Sequence, residues 1–149
     1  MIKPILFKIR ATGILIENNK ILIVKQKVNE NRNWSLPGGK VENETIKNAL
    51  ERELYEETGI KVECGKLLYL CEKLEEIEPL LHITFLVKKI GGEIKLPDNS
   101  LELNPIYDVK FIDCNKLMEY GFSEKFQTIV LKGFEDSGNY MGDKSNIGL

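Results

Sequence analysis

At 149 residues the chain has the length of one domain, enough to bury a core without disulfides or a structural metal. Hydrophobic residues make up 42% and charged residues 30%, the balance of a globular protein. A net charge of −2 and a pI of about 5.6 exclude binding of nucleic acid or anionic membrane by bulk charge, so a small anion must meet a local cation, from Lys, Arg or a metal. Cys64, Cys71 and Cys114 are odd in number and lack CxxC spacing, so they read as free thiols in a reducing cytoplasm. No apolar run reaches the roughly 18 residues of a membrane span, and Lys3, Lys8 and Arg10 stand where a signal peptide would be apolar. The expected setting is cytoplasmic.

Along the chain, Phe7–Ile16 and Lys20–Lys25 are rich in β-branched residues and flank Glu17-Asn18-Asn19, the pattern of a hairpin. Val28–Asn33 is polar and reads as a loop, and Pro37-Gly38-Gly39 after Trp34 forces a turn. Glu44–Thr58 carries the best helical periodicity, with Asn43 as the expected N-cap and Gly59 as the stop. Leu67–Cys71 and Leu81–Val87 read as strands. Gly91-Gly92 turns into a short strand, Glu93–Leu96, and a polar loop follows from Pro97 to Pro105. Val109–Asp113 reads as a strand, Leu117–Tyr120 and Glu124–Gly133 as helical, and the Gly- and Asp-rich residues after Phe134 as a loosely held tail. The domain is therefore expected over residues 1–134 and the tail over 135–149. Strands and helices interleave, which points to an α/β or α+β mixed sheet with helices on its faces.

The central helix carries an anomaly. At about 100° per residue, Ile46, Ala49, Leu50 and Leu54 form an apolar stripe, and Glu53 and Glu57 fall inside it with Glu56 at its edge. Lys47, Glu51 and Tyr55 already supply a solvated outer face. Like charges four residues apart cost about 0.2–0.5 kcal/mol even on an exposed helix, and desolvation raises that cost. Arg52 is the one obvious cation nearby on the helix. Either salt bridges from elsewhere or a divalent cation must balance the surplus, and clustered carboxylates suit Mg²⁺ or Mn²⁺ better than zinc.

The flanking residues choose between these. Gly38-Gly39-Lys40-Val41-Glu42-Asn43-Glu44, followed by Arg52-Glu53-Leu54-Tyr55-Glu56-Glu57-Thr58-Gly59-Ile60, resembles the Nudix box of the Nudix (MutT-like) hydrolases. That box runs Gly, five residues, Glu, seven residues, then Arg-Glu-apolar-any-Glu-Glu-any-Gly-apolar. Counted from Gly39, as the family usually is, the loop before Glu44 is one residue short. Trp34–Pro37 and His82-Ile83-Thr84 also resemble family segments. The resemblance spans roughly residues 8 to 120.

It implies an α/β/α sandwich with a mixed sheet, and hydrolysis of a nucleoside diphosphate linked to another moiety. It implies a metal site of the Gly38 carbonyl, Glu53, Glu56 and Glu57, with Arg52 orienting the glutamates and Glu44 locking the loop to the helix. The base is a box glutamate or an acid on the 98–104 loop, where Glu102 is the candidate. For substrate contacts the sequence offers Arg10 and Lys25 for phosphates, Trp34 for stacking and His82, each with an ordinary structural role as the alternative. Phe122, Phe126 and Phe134 are expected in the core or at a homodimer surface. The expected partner is a small nucleotide, neither nucleic acid nor membrane. A nucleotide-sensing module that has lost catalysis is the competing reading.

Overall fold

The computed structural model describes residues 2–74, 77–99 and 104–149. Its elements are β1 (Lys8–Ile14), β2 (Ile16–Glu17), β3 (Lys20–Asn29), β4 (Arg32–Ser35), β5 (Gly38–Lys40), α1 (Ile46–Thr58), β6 (Ile60–Lys73), β7 (Leu80–Gly92), β8 (Asp108–Asp113), α2 (Glu124–Leu131) and β9 (Asn139–Asp143). Short 3-10 segments, Cys114–Tyr120 and Lys144–Ile147, precede α2 and follow β9.

Two sheets form. One runs β5-β1-β7-β6-β9 and is mixed, with β1/β7 and β6/β9 parallel and the other pairs antiparallel. The other holds β2, β3 and β4, with β8 on β3. The β-branched stretch at residues 7–16 thus makes two strands of different sheets instead of one arm of a hairpin. Both edges of β1 are taken, by β5 and β7, so only β2 is left to turn back on β3. Asn18 and Asn19 make that turn at φ of 51° and 61°, the left-handed conformation Asn tolerates in tight hairpins.

β3 shows why the architecture is layered. Ile21, Leu22, Ile23 and Val24 are all fully buried, although successive strand residues point to opposite faces. Ile21 and Ile23 join a core with Phe122, Phe126, Val130 and Phe134, while Leu22 and Val24 join one with Ala11, Leu50 and Leu54. The strand layer is therefore covered by α2 on one side and α1 on the other, an α/β/α arrangement. The three phenylalanines lie in the core. On α1, Leu50 and Leu54 are fully buried, and each contributes about 1.5–3 kcal/mol. The helix comes so close to β1 that a Cβ on Gly13 would sit 3.0 Å from a Leu54 methyl.

Several expectations shift. Thr45 caps α1, its hydroxyl accepting the Asn48 N–H at 3.1 Å, so Asn43 and Glu44 precede the helix. Gly59 stops it at φ 79° as expected, its N–H bonding the Tyr55 carbonyl at 2.9 Å. The polar stretch 28–33 is mostly strand, because β3 and β4 pair as far as Asn29 and Arg32. Residues 93–96 do not form a strand. The C-terminal segment is not loose. β9 lies parallel to β6 through Tyr69–Asn139 and Glu72–Asp143, and Ile147 is buried at 1% exposure. Its glycines, which suggested slack, include Gly142 at the register shift inside β9 and Gly148 at the end of the 3-10 segment, both at positive φ. No helix among the described residues is long and apolar enough to cross a membrane.

Candidate active site

The chemistry-bearing face of α1 looks onto β5 and its flanking loop. Arg52 sits at its centre. Its Nε donates to one Glu44 oxygen at 3.1 Å and Nη2 to the other, while Nη1 donates to Glu53 at 3.0 Å and Glu56 at 3.2 Å. The two-pronged hold on Glu44 ties the loop before the helix to the helix itself. It also keeps the Glu44 carboxyl below its usual range. Burial pushes the Glu53 carboxyl up, and the neighbouring Arg52 opposes that shift. Glu57 turns toward β5 and accepts the Gly38 N–H at 3.4 Å. The acids inside the apolar stripe are thus partly compensated by the protein, more than the helix alone predicts.

Gly39 is matched to Glu53. A Cβ there would run into the Glu53 carboxyl group, so the absence of a side chain is what lets the carboxylate lie against the strand. Gly38 is matched to β1, where a Cβ would overlap the Ala11 carbonyl oxygen. The Gly38 carbonyl takes a long hydrogen bond, 3.5 Å, from Arg10.

Glu53, Glu56 and Glu57 line a cavity of about 330 Å³, closed by Gln26 of β3 and by Asp98, Asn99, Asn104 and Ile106. Asn99 ties this wall together, donating to the Ile106 carbonyl at 2.8 Å and accepting its N–H at 3.1 Å. The cavity's charged oxygens are carboxylates, the chemistry of a hard divalent cation, and Gly38 is not among the residues that line it. Among the described residues no three Asp, Glu, His or Cys side chains yet converge as metal ligands. Glu53 and the exposed Glu56 bond Arg52, which also holds Glu44. The residues fit such an ion.

The other expected site residues divide. Arg10 and His82, register partners on β1 and β7, line a second cavity of about 610 Å³ next to the first. His82 is 2% exposed, and its Nε2 lies 2.8 Å from the Thr12 hydroxyl. Its imidazole is pushed well below its ordinary range, by burial first and then by Lys144, Arg10 and Arg32, so it is neutral. Lys25 and Trp34 line neither cavity. They are cross-strand partners on the other face, where Lys25 and Lys110 lie over the indole and Tyr120 meets it edge-on. One residue along, Gln26 and Ser35 take the cavity side. Glu102 lies outside the described residues. Asp98 is the acid of that loop found at the cavity wall, and its place in the 98–104 stretch was the only signal for it.

Residues 7–128 match the NUDIX domain. An ADP-ribose pyrophosphatase of Methanocaldococcus jannaschii is 34% identical over 121 residues, 78% of this chain and 68% of that protein. An 8-oxo-dGTP diphosphatase of Buchnera aphidicola is 47% identical over 53 residues, 34% of this chain and 41% of that one. In fold, a crystal structure of an ADP-ribose pyrophosphatase from Streptococcus suis superposes with a TM-score of 0.65 at 18% identity, covering 91% of this chain and 98% of the other. A UDP-X diphosphatase gives 0.69 at 22% identity, covering 95% and 69%. The family match and the relatives named as pyrophosphatases define a pyrophosphohydrolase, in a family that generally uses divalent metal ions. The chain belongs to the NUDIX family.

Proposed function

We propose that the protein hydrolyses a phosphoanhydride bond in a nucleoside diphosphate linked to another moiety, with Mg²⁺ or Mn²⁺ held by Glu53, Glu56, Glu57 and the Gly38 carbonyl. The observation that carries this reading is the carboxylate wall of α1, seated against Gly39 and facing a cavity. When bound, the cation neutralises pyrophosphate charge and lowers the pKa of a water molecule. The chain's own residues do the rest. Arg52 fixes the carboxylates and, through Glu44, the loop beside them. Arg10, which bonds the Gly38 carbonyl, offers a guanidinium to a phosphate at the cavity edge. A carboxylate takes the proton of the attacking water, either on the helix or at Asp98 or Glu102. The relatives' names give ADP-ribose and 8-oxo-dGTP as starting substrates.

The test is product analysis over ADP-ribose, nucleoside triphosphates, a nucleotide sugar and dinucleoside polyphosphates, with Mg²⁺, with Mn²⁺ and with EDTA. Nucleoside monophosphate should be released from at least one substrate with metal, and release should stop in chelator. No turnover on any of them, or full turnover in excess EDTA, overturns the reading.

A further inference from the structure

The larger cavity is not explained by metal-assisted hydrolysis alone. It adjoins the acidic one, and Gln26 and Asn104 border both. Those two are joined, the Gln26 side chain donating to the Asn104 carbonyl at 2.7 Å. Five cations line the larger cavity: Lys27 of β3, which pairs with Glu30 at 3.9 Å, and four that converge from distant parts of the chain. Arg10 comes from β1, Arg32 from β4, Lys73 from the end of β6, and Lys144 from just after β9. Among the described residues no Asp or Glu side chain lines it, and no ion pair joins any of the four to a carboxylate.

The four charges burden one another. The Lys144 ammonium is pulled down to about 8, by burial first and then by Arg10, Arg32 and Lys73. Among the described residues Arg10 donates one long bond, to the Gly38 carbonyl, and Arg32 has a 3.4 Å contact with the Trp34 carbonyl and lies over the Phe122 ring, neither of which supplies a counter-charge. The walls add neutral polar atoms that nothing among the described residues satisfies, His82 Nδ1 and Ser35 Oγ, both buried. A buried polar atom left unpaired is costly, and so is a half-buried cluster of like charge. A solvated lysine patch carries neither cost. One multiply charged anion relieves both.

We infer that this cavity binds a further phosphate group of the substrate, so that the preferred substrate is a nucleotide with at least one phosphate beyond the pyrophosphate that is cleaved. This rests on the hydrolase reading for which bond is cut, and the cavity's chemistry supplies the rest. A phosphomonoester carries about −1.5 to −2 charges at neutral pH and three acceptor oxygens. It matches two guanidinium forks and two ammonium groups better than a single carboxylate does. Arg10 links the two subsites, because it lines the cationic cavity and bonds the carbonyl of Gly38, whose N–H donates to Glu57 of the acidic wall. A polyphosphate chain passing Arg10 spans from one to the other. At about 610 Å³ the cavity holds more than a phosphate, which leaves room for the group that carries it.

The experiment has two arms. In EDTA the carboxylate wall repels anions, so calorimetric titration of the metal-free protein with inorganic tripolyphosphate reads the cationic cavity alone. Saturable binding is expected, weakened about 10- to 100-fold in Lys144→Met and in Arg32→Met, the loss for one charge-assisted hydrogen bond. Lys144→Arg should restore most of it. A flat titration of the unaltered protein, or binding indifferent to both substitutions, overturns the inference. In the second arm, kcat/KM for a nucleoside triphosphate and for a dinucleoside tetraphosphate is divided by that for ADP-ribose. The ratio should fall by a similar factor in the two methionine variants, mainly through KM, and the substrate whose ratio falls identifies the source of the extra phosphate. Equal ratios in all proteins overturn the inference while leaving the hydrolase intact. Anion binding without hydrolysis of any nucleotide does the reverse.

Discussion

The acidic face of α1 and the cationic cavity beside it manage charge in opposite ways. On α1 the glutamates share Arg52, and Glu57 has the Gly38 N–H, so much of the opposing charge is supplied from within the chain. In the cavity, Lys27 has Glu30, but Arg10, Arg32, Lys73 and Lys144 face one another, and among the described residues no Asp or Glu side chain lines it. The first arrangement holds its groups in place before any ligand arrives. The second is completed from outside. Internal compensation marks a preorganised site, and uncompensated like charge marks a site whose counter-ion is the ligand.

Three changes break or sharpen that contrast. The largest effect should come from Glu53→Gln or Glu57→Gln, which keep shape and remove a charge. Each should lower kcat by about 10²–10⁴-fold, the range for losing a group that acts on the reacting water. In Glu57→Gln the amide oxygen can still accept the Gly38 N–H, so thermal melts should stay near those of the unaltered protein. Full activity in either variant would take the chemistry away from this helix face.

Gly39→Ala should come next. Its Cβ strikes the far end of the flexible Glu53 side chain, which can swing aside, so the fold should survive. The carboxylate would then be displaced by about an ångström, an error that can cost on the order of 10²-fold in rate. Kinetics beside a circular dichroism melt would show the split. A large loss of stability would mean that Glu53 cannot move and that the preorganisation is rigid.

The smallest effect concerns stability and pH. The folded Lys144 loses its proton near 8, well below the roughly 10.4 of an unfolded lysine. Its burial penalty is therefore fully present below about pH 8, fades as pH rises from the folded toward the unfolded value, and is gone once the unfolded side chain has deprotonated too. Lys144→Met should raise stability at pH 7 without ligand, by about 1–3 kcal/mol, and the advantage should shrink by pH 10. Urea unfolding of both proteins at the two pH values measures this. A constant difference would mean that Lys144 is already neutralised within the protein, and the contrast between the two regions would weaken.

What the sequence by itself determined is the part written in local periodicity. Gly59 stops α1, Glu53 and Glu57 share the apolar side, and Arg52 stands one turn from Glu56, because helical geometry relates residues only three or four apart. The spacing from Gly38 to Ile60 carried the family with it. Local signals also misled where long-range pairing won. Asn43 resembled a cap but Thr45 made the bond, and residues 28–33 looked like a loop until β4 paired with β3. Only tertiary structure decided the cationic cavity. Arg10 and His82 meet through a parallel register between β1 and β7, and Lys144 arrives because β9 adds to β6 across some seventy residues of chain. Such registers are set by which edge is free and which face must be buried, and no window of sequence contains both strands. The acids could be found on one helix. The cations became neighbours only when two sheets had assembled around them.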